Sequence, residues 1–155
     1  MAAMAYLTAV GARQGDIKGD VTLKGREGSV ALVSVSHEID TPYDVATGHI
    51  SGKRQHKPLV VIALLDRATP KLYQALVTNE VLTGVKIEFW RPAPEIVAPY
   101  YVIAVTNAAI VGIELAPSAE SHDRNEWLRV QFVYEKIVET YTETGDSFDD
   151  SWSAP

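Results

Sequence analysis

Four histidines, His37, His49, His56 and His122, are the side chains of this sequence best suited to moving protons or binding a metal near neutral pH. Zinc chemistry of the HExxH kind needs two imidazoles at i and i+4 on one helix with a carboxylate beside the first, and none of the four has that spacing. His122-Asp123 offers half of a catalytic triad, but an aspartate directly after the histidine points elsewhere, and no GxSxG elbow supplies a nucleophile. The pair reads as a turn or loop cap. His56, just before Lys57-Pro58, reads as a strand-entry contact rather than a base. Gly11, Gly15 and Gly19 fail as a phosphate loop, since no GK[ST] follows and no helix begins there. The chain has no cysteine, which removes thiol nucleophiles, thiolate metal sites and disulfides. Trp90, Trp127 and Trp152 have no interleaved basic stripe, so they read as core or interface residues and not as a platform for stacking bases. These residues predict no enzyme, no cofactor and no metal.

Charge is the remaining chemistry. A net charge of −6 argues against a nucleic-acid module, which needs a basic surface to meet phosphates. Lys53, Arg54, His56 and Lys57 form a local basic patch, which reads as a solvated loop or a charged contact with a neighbouring protein. No apolar run approaches the roughly 20 residues that span a bilayer, so membrane insertion is not expected. The N-terminus shows neither the basic region nor the long apolar core of a cleavable signal peptide. If the protein leaves a cell, the expectation is export through a dedicated machine.

The elements that must position these groups are mostly strands. The chain of 155 residues fits one domain, 1–155, and a domain of that size buries about 70% of its unfolded surface. From Leu128 to Val138, apolar Leu128, Val130, Phe132, Tyr134 and Val138 alternate with Arg129, Gln131, Glu135 and Glu139, the pattern of a half-buried strand. Val85, Ile87 and Phe89 alternate with Lys86 and Glu88 in the same way. Leu59 to Leu65 is apolar on both faces and predicts a strand covered on both sides, part of that cover coming from a second sheet, a helix or another subunit. Tyr100–Val105 and Ile110–Leu115 read as two strands joined by a hairpin at Thr106-Asn107. One helix is expected, with Thr69 as N-cap, Pro70 at its first position and an apolar face of Leu72, Tyr73, Leu76 and Val77. Asn79 and Gly84 mark its exit. Strands separated by turns, with one short helix, predict a mainly β fold, a sandwich or a barrel.

Three stretches lack periodicity. Ala116 to Glu126 reads as a surface loop. Thr142 to Pro155, rich in Glu143, Asp146, Asp149 and Asp150, is expected to fray unless docked, making 143–155 a flexible acidic tail. Glu38 to Gln55 is longer than the roughly 12–15 residues beyond which a structureless loop is usually functional. It carries Glu38, Asp40 and Asp44 at its start and Lys53 and Arg54 at its end. Tyr43 gives it a rigid amphipathic contact, and Gly48 and Gly52 allow backbone shapes that bulkier residues resist.

A set of ordered motifs takes the reading further. Thr47-Gly48, Ser51-Gly52-Lys53 and His56-Lys57-Pro58 lead into the apolar strand, and Leu72-Tyr73-Gln74-Ala75-Leu76 follows in the helix. Asp16-Ile17-Lys18-Gly19 with Gly25 to Ser36 comes before them. Ser121-His122-Asp123, then Phe132, Tyr134 and Lys136 within Val130–Ile137, and finally Asp149-Asp150-Ser151-Trp152 come after. Together they resemble the Hcp (haemolysin co-regulated protein) family of bacterial type VI secretion systems over most of the chain. Two features depart from that pattern: Met1–Gln14 is not distinctive, and an aromatic of the first long strand is replaced by small and aliphatic residues near Ser29-Val30.

The resemblance implies a mainly β fold, two packed β-sheets forming a β-barrel or sandwich, with one short α-helix at its side and an extended loop. It implies hexameric rings stacked head to tail into the inner tube of a contractile apparatus, with contacts between subunits and rings made partly by the Glu38–Gln55 loop. It further implies a spike protein, a sheath and small secreted effector proteins as partners. Assembly would occur in the bacterial cytoplasm, followed by secretion without a cleaved signal peptide. Two other readings stand beside it: a solitary β-sandwich module binding carbohydrate or protein through the same loop, and the tube protein of a related phage-tail-like injection machine.

Overall fold

The computed structural model describes residues 5–92, 96, 98–115 and 126–154. Its strands are β1 (Ala5–Gly11), β2 (Gly15–Ile17), β3 (Val30–Ser36), β4 (Ile39–Asp40), β5 (Gln55–His56), β6 (Leu59–Leu64), β7 (Leu82–Phe89), β8 (Tyr101–Leu115), β9 (Trp127–Val133), β10 (Lys136–Tyr141) and β11 (Asp146–Ser151), with the helix α1 (Thr69–Val77) between β6 and β7. Hydrogen bonding runs β8-β7-β1-β3-β6-β9, and β9 pairs back onto β8, so six antiparallel strands close into a barrel with no free edge.

β8 makes the closure possible. Sequence reading places a hairpin at Thr106-Asn107, yet the chain continues through it as one strand of 15 residues. Asn107 adopts a left-handed φ of 49° and donates from its side chain to Glu135 at 2.7 Å, so it bends the strand instead of reversing it. Asparagine tolerates this conformation better than most residues, which is why the same side chain reads as a turn in sequence. The first half of β8 pairs with β7 on one edge and β10 on the other, and the second half pairs with β9.

Opposite that bend, the expected Leu128–Val138 strand is interrupted at Tyr134-Glu135. β9 buries Leu128, Val130 and Phe132 as the alternation predicts. After the break the buried position moves to Ile137, and Val138 is only half-buried. The residues on either side keep the same antiparallel register against β8, so the break shifts side-chain parity without ending the pairing.

The core is filled by inward residues of all six barrel strands, with Phe132, Leu59, Leu32, Leu128, Ile87 and Val61 fully buried. β6 sends Leu59, Val61 and Ala63 inward and Val60, Ile62 and Leu64 outward, where they are half-buried. β1 lies between β3 and β7 at the heart of the barrel although its sequence signals no strand. α1 covers β8 with Leu72 and Ala75. Its N-cap is Ala68 and not Thr69. Asp66 does the capping from outside, accepting the Ala68 amide at 2.7 Å, while Thr69 Oγ1 accepts the Asp66 amide at 3.2 Å. Val77, expected on the apolar face, is exposed at the end of the helix.

The acidic end is a docked strand where a free tail was expected. β11 pairs along the whole of β10 in antiparallel register, and Trp152 packs on the core. Residues 121–123, the Ser121-His122-Asp123 motif, lie outside the described residues.

Candidate functional site: a protruding arm and the cluster at its root

The segment from Glu38 to Gln55 is an arm with its own scaffold. Ile39 pairs with His56 and Asp40 with Gln55, Lys57 donates its amide to the Glu38 carbonyl at 3.0 Å, and Tyr43 bridges to Ile50 further out. The tip turns on Asp44, whose carboxylate accepts the Ala46 amide at 2.8 Å. Gly48 sits there at φ 75°, in the region that side-chain-bearing residues resist, and donates to the Asp44 carbonyl. Gly52 serves differently: a Cβ at this position would lie 2.8 Å from the Pro42 ring. Ser51 donates its amide to the Pro42 carbonyl at 3.0 Å and closes the turn.

The arm presents apolar side chains to solvent. Val45 is 89% exposed, Ile50 75% and Tyr43 63%, although this segment carries many charged residues. Its ions are largely spoken for. Asp40 and Lys57 approach to 4.0 Å, an exposed pair of little energetic weight. Lys53 donates to the Ser153 carbonyl at 3.3 Å. Arg54 turns inward, and its guanidinium clasps both oxygens of Asp150 on β11.

The root of the arm is pinned by a buried polar cluster. His56, with no exposed side-chain surface, contacts the Tyr134 hydroxyl through Nδ1 at 2.7 Å and Asp150 through Nε2 at 2.8 Å. Its ring stacks on Trp152 with centroids 5.7 Å apart. His37, at the other foot of the arm, meets the same hydroxyl through Nε2 at 3.0 Å and Glu139 through Nδ1 at 3.2 Å. Tyr101 donates to the second Glu139 oxygen at 2.7 Å. The Arg54 bond holds Asp150 well below the usual carboxylate range, with His56 adding to it. Glu139 is lowered by the His37 bond first, then by Tyr101, against the opposing effect of burial. Burial, and then the neighbouring carboxylates, push the Tyr134 hydroxyl up to about 12.

In sequence His56 reads as a strand-entry contact; the structure makes it the central strut between arm, barrel and last strand. Tyr134 and Trp152 of the motif set converge on it, Phe132 lies in the core, and Pro58 leads into β6. Lys136 pairs with Asp149 at 3.6 Å on the exposed side. The partnership of His37 with Glu139 has no signal in the sequence, because the two residues come together only when β10 docks beside β8. Glu80 was missed too. It is buried and accepts the amides of Arg13 and Gln14 at 2.9 and 2.8 Å, which holds its carboxyl below the ordinary range and fixes the β1–β2 turn. Among the described residues no group of three or more His, Asp or Glu side chains is placed to hold a metal ion.

A second surface lies on the outer wall of the barrel. Ile62 stands between Ser34 and Arg129, Val60 between Ser36 and Gln131, and Leu64 opposite Trp127. Exposed Val33 on β3 and Val111 on β8 belong to the strands around them.

The molecule is a closed barrel with an anchored arm, and apolar side chains are exposed at the arm's tip and on the outer wall. The chain belongs to the Hcp family: the family model "Type VI secretion system effector, Hcp" matches residues 6–141. It is therefore a non-enzymatic structural protein of the type VI secretion class, of the kind that forms the tube. The "Major exported protein" of Pseudomonas aeruginosa is 31% identical over 169 aligned positions, covering 100% of this chain and 98% of that one. The structure superposes on Hcp1 from the E. coli EAEC 042 pathovar with a TM-score of 0.86 at 29% identity, over 97% of this chain and 99% of the other. Secreted protein Hcp3 from Pseudomonas aeruginosa matches with a TM-score of 0.77 at 28% identity, over 99% of this chain and 100% of the other.

Proposed function

We propose that this protein assembles into hexameric rings that stack into the inner tube of a type VI secretion system and carry small effector proteins in the lumen. The observation that supports it most is the arm: a protruding element with a fixed root and an apolar tip, the form expected of a part that docks on another copy. The outward row Val60, Ile62 and Leu64 gives a second, separate contact face. Two unlike faces suit a heterologous interface, which closes into a ring if its rotation allows and otherwise extends as a filament. Assembly takes place in the bacterial cytoplasm, and the assembled tube leaves with a spike protein when a sheath contracts.

The test is size and shape in solution. Light scattering should give a species far above the 17.0 kDa of the monomer, and electron microscopy should show rings. A protein that remained monomeric at high concentration would instead support a solitary binding module acting through the arm.

A further inference from the structure

We infer that His37 and His56 together hold one proton more than two neutral imidazoles carry, that the extra proton resides on His37, and that it pins the arm to the barrel. Hydrogens can be counted along a single chain of contacts whose centre, His56 and Tyr134, is buried and whose ends are partly buried. The chain runs Asp150, His56, Tyr134, His37, Glu139, with four links of 2.8, 2.7, 3.0 and 3.2 Å. Each link needs one hydrogen between its two heavy atoms. Two neutral histidines and one phenol supply three. With three, one link would press two lone pairs together in a largely desolvated setting, a costly arrangement.

The fourth hydrogen has few places to reside. The carboxyls of Asp150 and Glu139 both lie below their ordinary range and stay ionised, and Tyr134 keeps its phenolic proton. One imidazole is therefore doubly protonated. Charge and geometry select His37. Asp150 already carries the Arg54 guanidinium, whereas the other partner of Glu139 is the neutral Tyr101 hydroxyl. With His37 cationic, the charges of Arg54, Asp150, Glu139 and His37 sum to zero around Tyr134. The nearby Lys136–Asp149 pair is exposed and self-compensated.

The link lengths agree with this assignment. An O–H donor gives shorter bonds than an N–H donor, by about 0.2 Å. Tyr134 thus donates to His56 Nδ1 across the 2.7 Å link and accepts from His37 Nε2 across the 3.0 Å link. His56 is then the neutral tautomer with its hydrogen on Nε2, directed at Asp150. Both feet of the arm are held on a single phenol, and removing the extra proton turns the His37 link repulsive.

Long-range 15N–1H spectra of the labelled full-length chain at neutral pH read both rings directly. The expected pattern is one doubly protonated imidazole, His37, and one neutral ring with hydrogen on Nε2, His56. Two neutral rings in the unmodified protein would overturn the inference. In Tyr134→Phe, His37 should become neutral at the same pH, since its Nε2–H has lost its acceptor. A His37 cation that persists there would show that Glu139 alone holds the proton and that the count is not its cause. Glu139→Gln gives an independent arm. His37 should again be neutral, and amide exchange at Ile39, His56 and Lys57 should accelerate tenfold or more. Unchanged exchange with a neutral His37 would show that the proton does not pin the arm. If either variant fails to fold by circular dichroism, the spectrum of the unmodified chain still decides where the proton lies.

Discussion

Arg54 and Asp150 face each other as a bidentate pair, with Nε donating to one carboxylate oxygen at 2.5 Å and Nη2 to the other at 2.6 Å. The pair joins the root of the arm to the last strand, and His56 donates to the same carboxylate. A fork-to-fork geometry of this kind fixes orientation as well as distance. It makes Arg54 part of the arm's foundation and spends its charge within the chain.

The first prediction is an acid sensitivity that belongs to this pair. Asp150 and Glu139 have folded-state values below their ordinary ones, so the unfolded chain takes up protons first as pH falls. Their contribution is present above about pH 4, the unfolded carboxylate range, and is lost as pH drops through the lower folded values. Thermal melts between pH 5 and pH 2 (roughly that window) should show a steep fall in Tm. Asp150→Asn should start less stable and fall less steeply. An equal acid slope in both proteins would mean that other carboxylates carry the effect.

Two adjacent positions on β6 separate folding from assembly. Val61 is 1% exposed, and Val61→Asp would bury an unpaired charge, costing about 4 kcal/mol or more in urea denaturation. Ile62 points the other way, beside Arg129. Ile62→Asp should cost the monomer much less, yet shift light scattering from ring to monomer. Rings that survive Ile62→Asp would remove this wall from the assembly surface.

How much of this was legible in the residues depends on where the information lay. β6, β7 and α1 announce themselves by local periodicity, and the barrel class follows from strand-rich patterning. β1 does not: Ala5-Tyr6-Leu7 is buried throughout and shows no alternation. Thr106-Asn107 reads as a turn because asparagine favours positive φ, and only the pairing of β8 with β10 and β9 reveals a bend. β11 reads as a tail because Asp146, Asp149 and Asp150 are hydrophilic. Its docking rests on Arg54 and His56, which lie 96 and 94 residues before Asp150 in the chain. The arm was visible as a long aperiodic segment, while the His37–Tyr134–His56 cluster beneath it was not, because its members meet through tertiary structure alone.

The apolar tip of the arm yields a third prediction. Val45 and Ile50 touch little within the chain, so Val45→Ser with Ile50→Ser should alter the unfolding free energy by no more than about 0.5 kcal/mol each. Association should weaken, seen as a concentration-dependent drop in mass by light scattering. Because the lost contact is apolar, added salt should not reproduce the defect. Unaltered assembly would leave the tip as solvated surface.

Charge on the arm calls for a different substitution from the one its sequence suggests. In sequence, Lys53 and Arg54 both read as cations able to meet acidic groups on a stacked ring. Reversing Arg54, however, would break its clasp on Asp150 and disturb the root, so a loss of stacking in that variant would carry no information about contact between rings. Lys53 is the clean position, since its bond to the Ser153 carbonyl, at 3.3 Å, is long and exposed. Lys53→Glu should leave rings intact and weaken their stacking, because complementary charges orient partners more than they bind them. Raising salt from about 0.1 M towards 1 M shortens the screening length from about 10 Å to about 3 Å and should mimic the variant in the unmodified protein. Electron microscopy of both, at matched protein concentration, would show short stacks or single rings. Tubes of unchanged length in Lys53→Glu would assign stacking to the apolar tip alone.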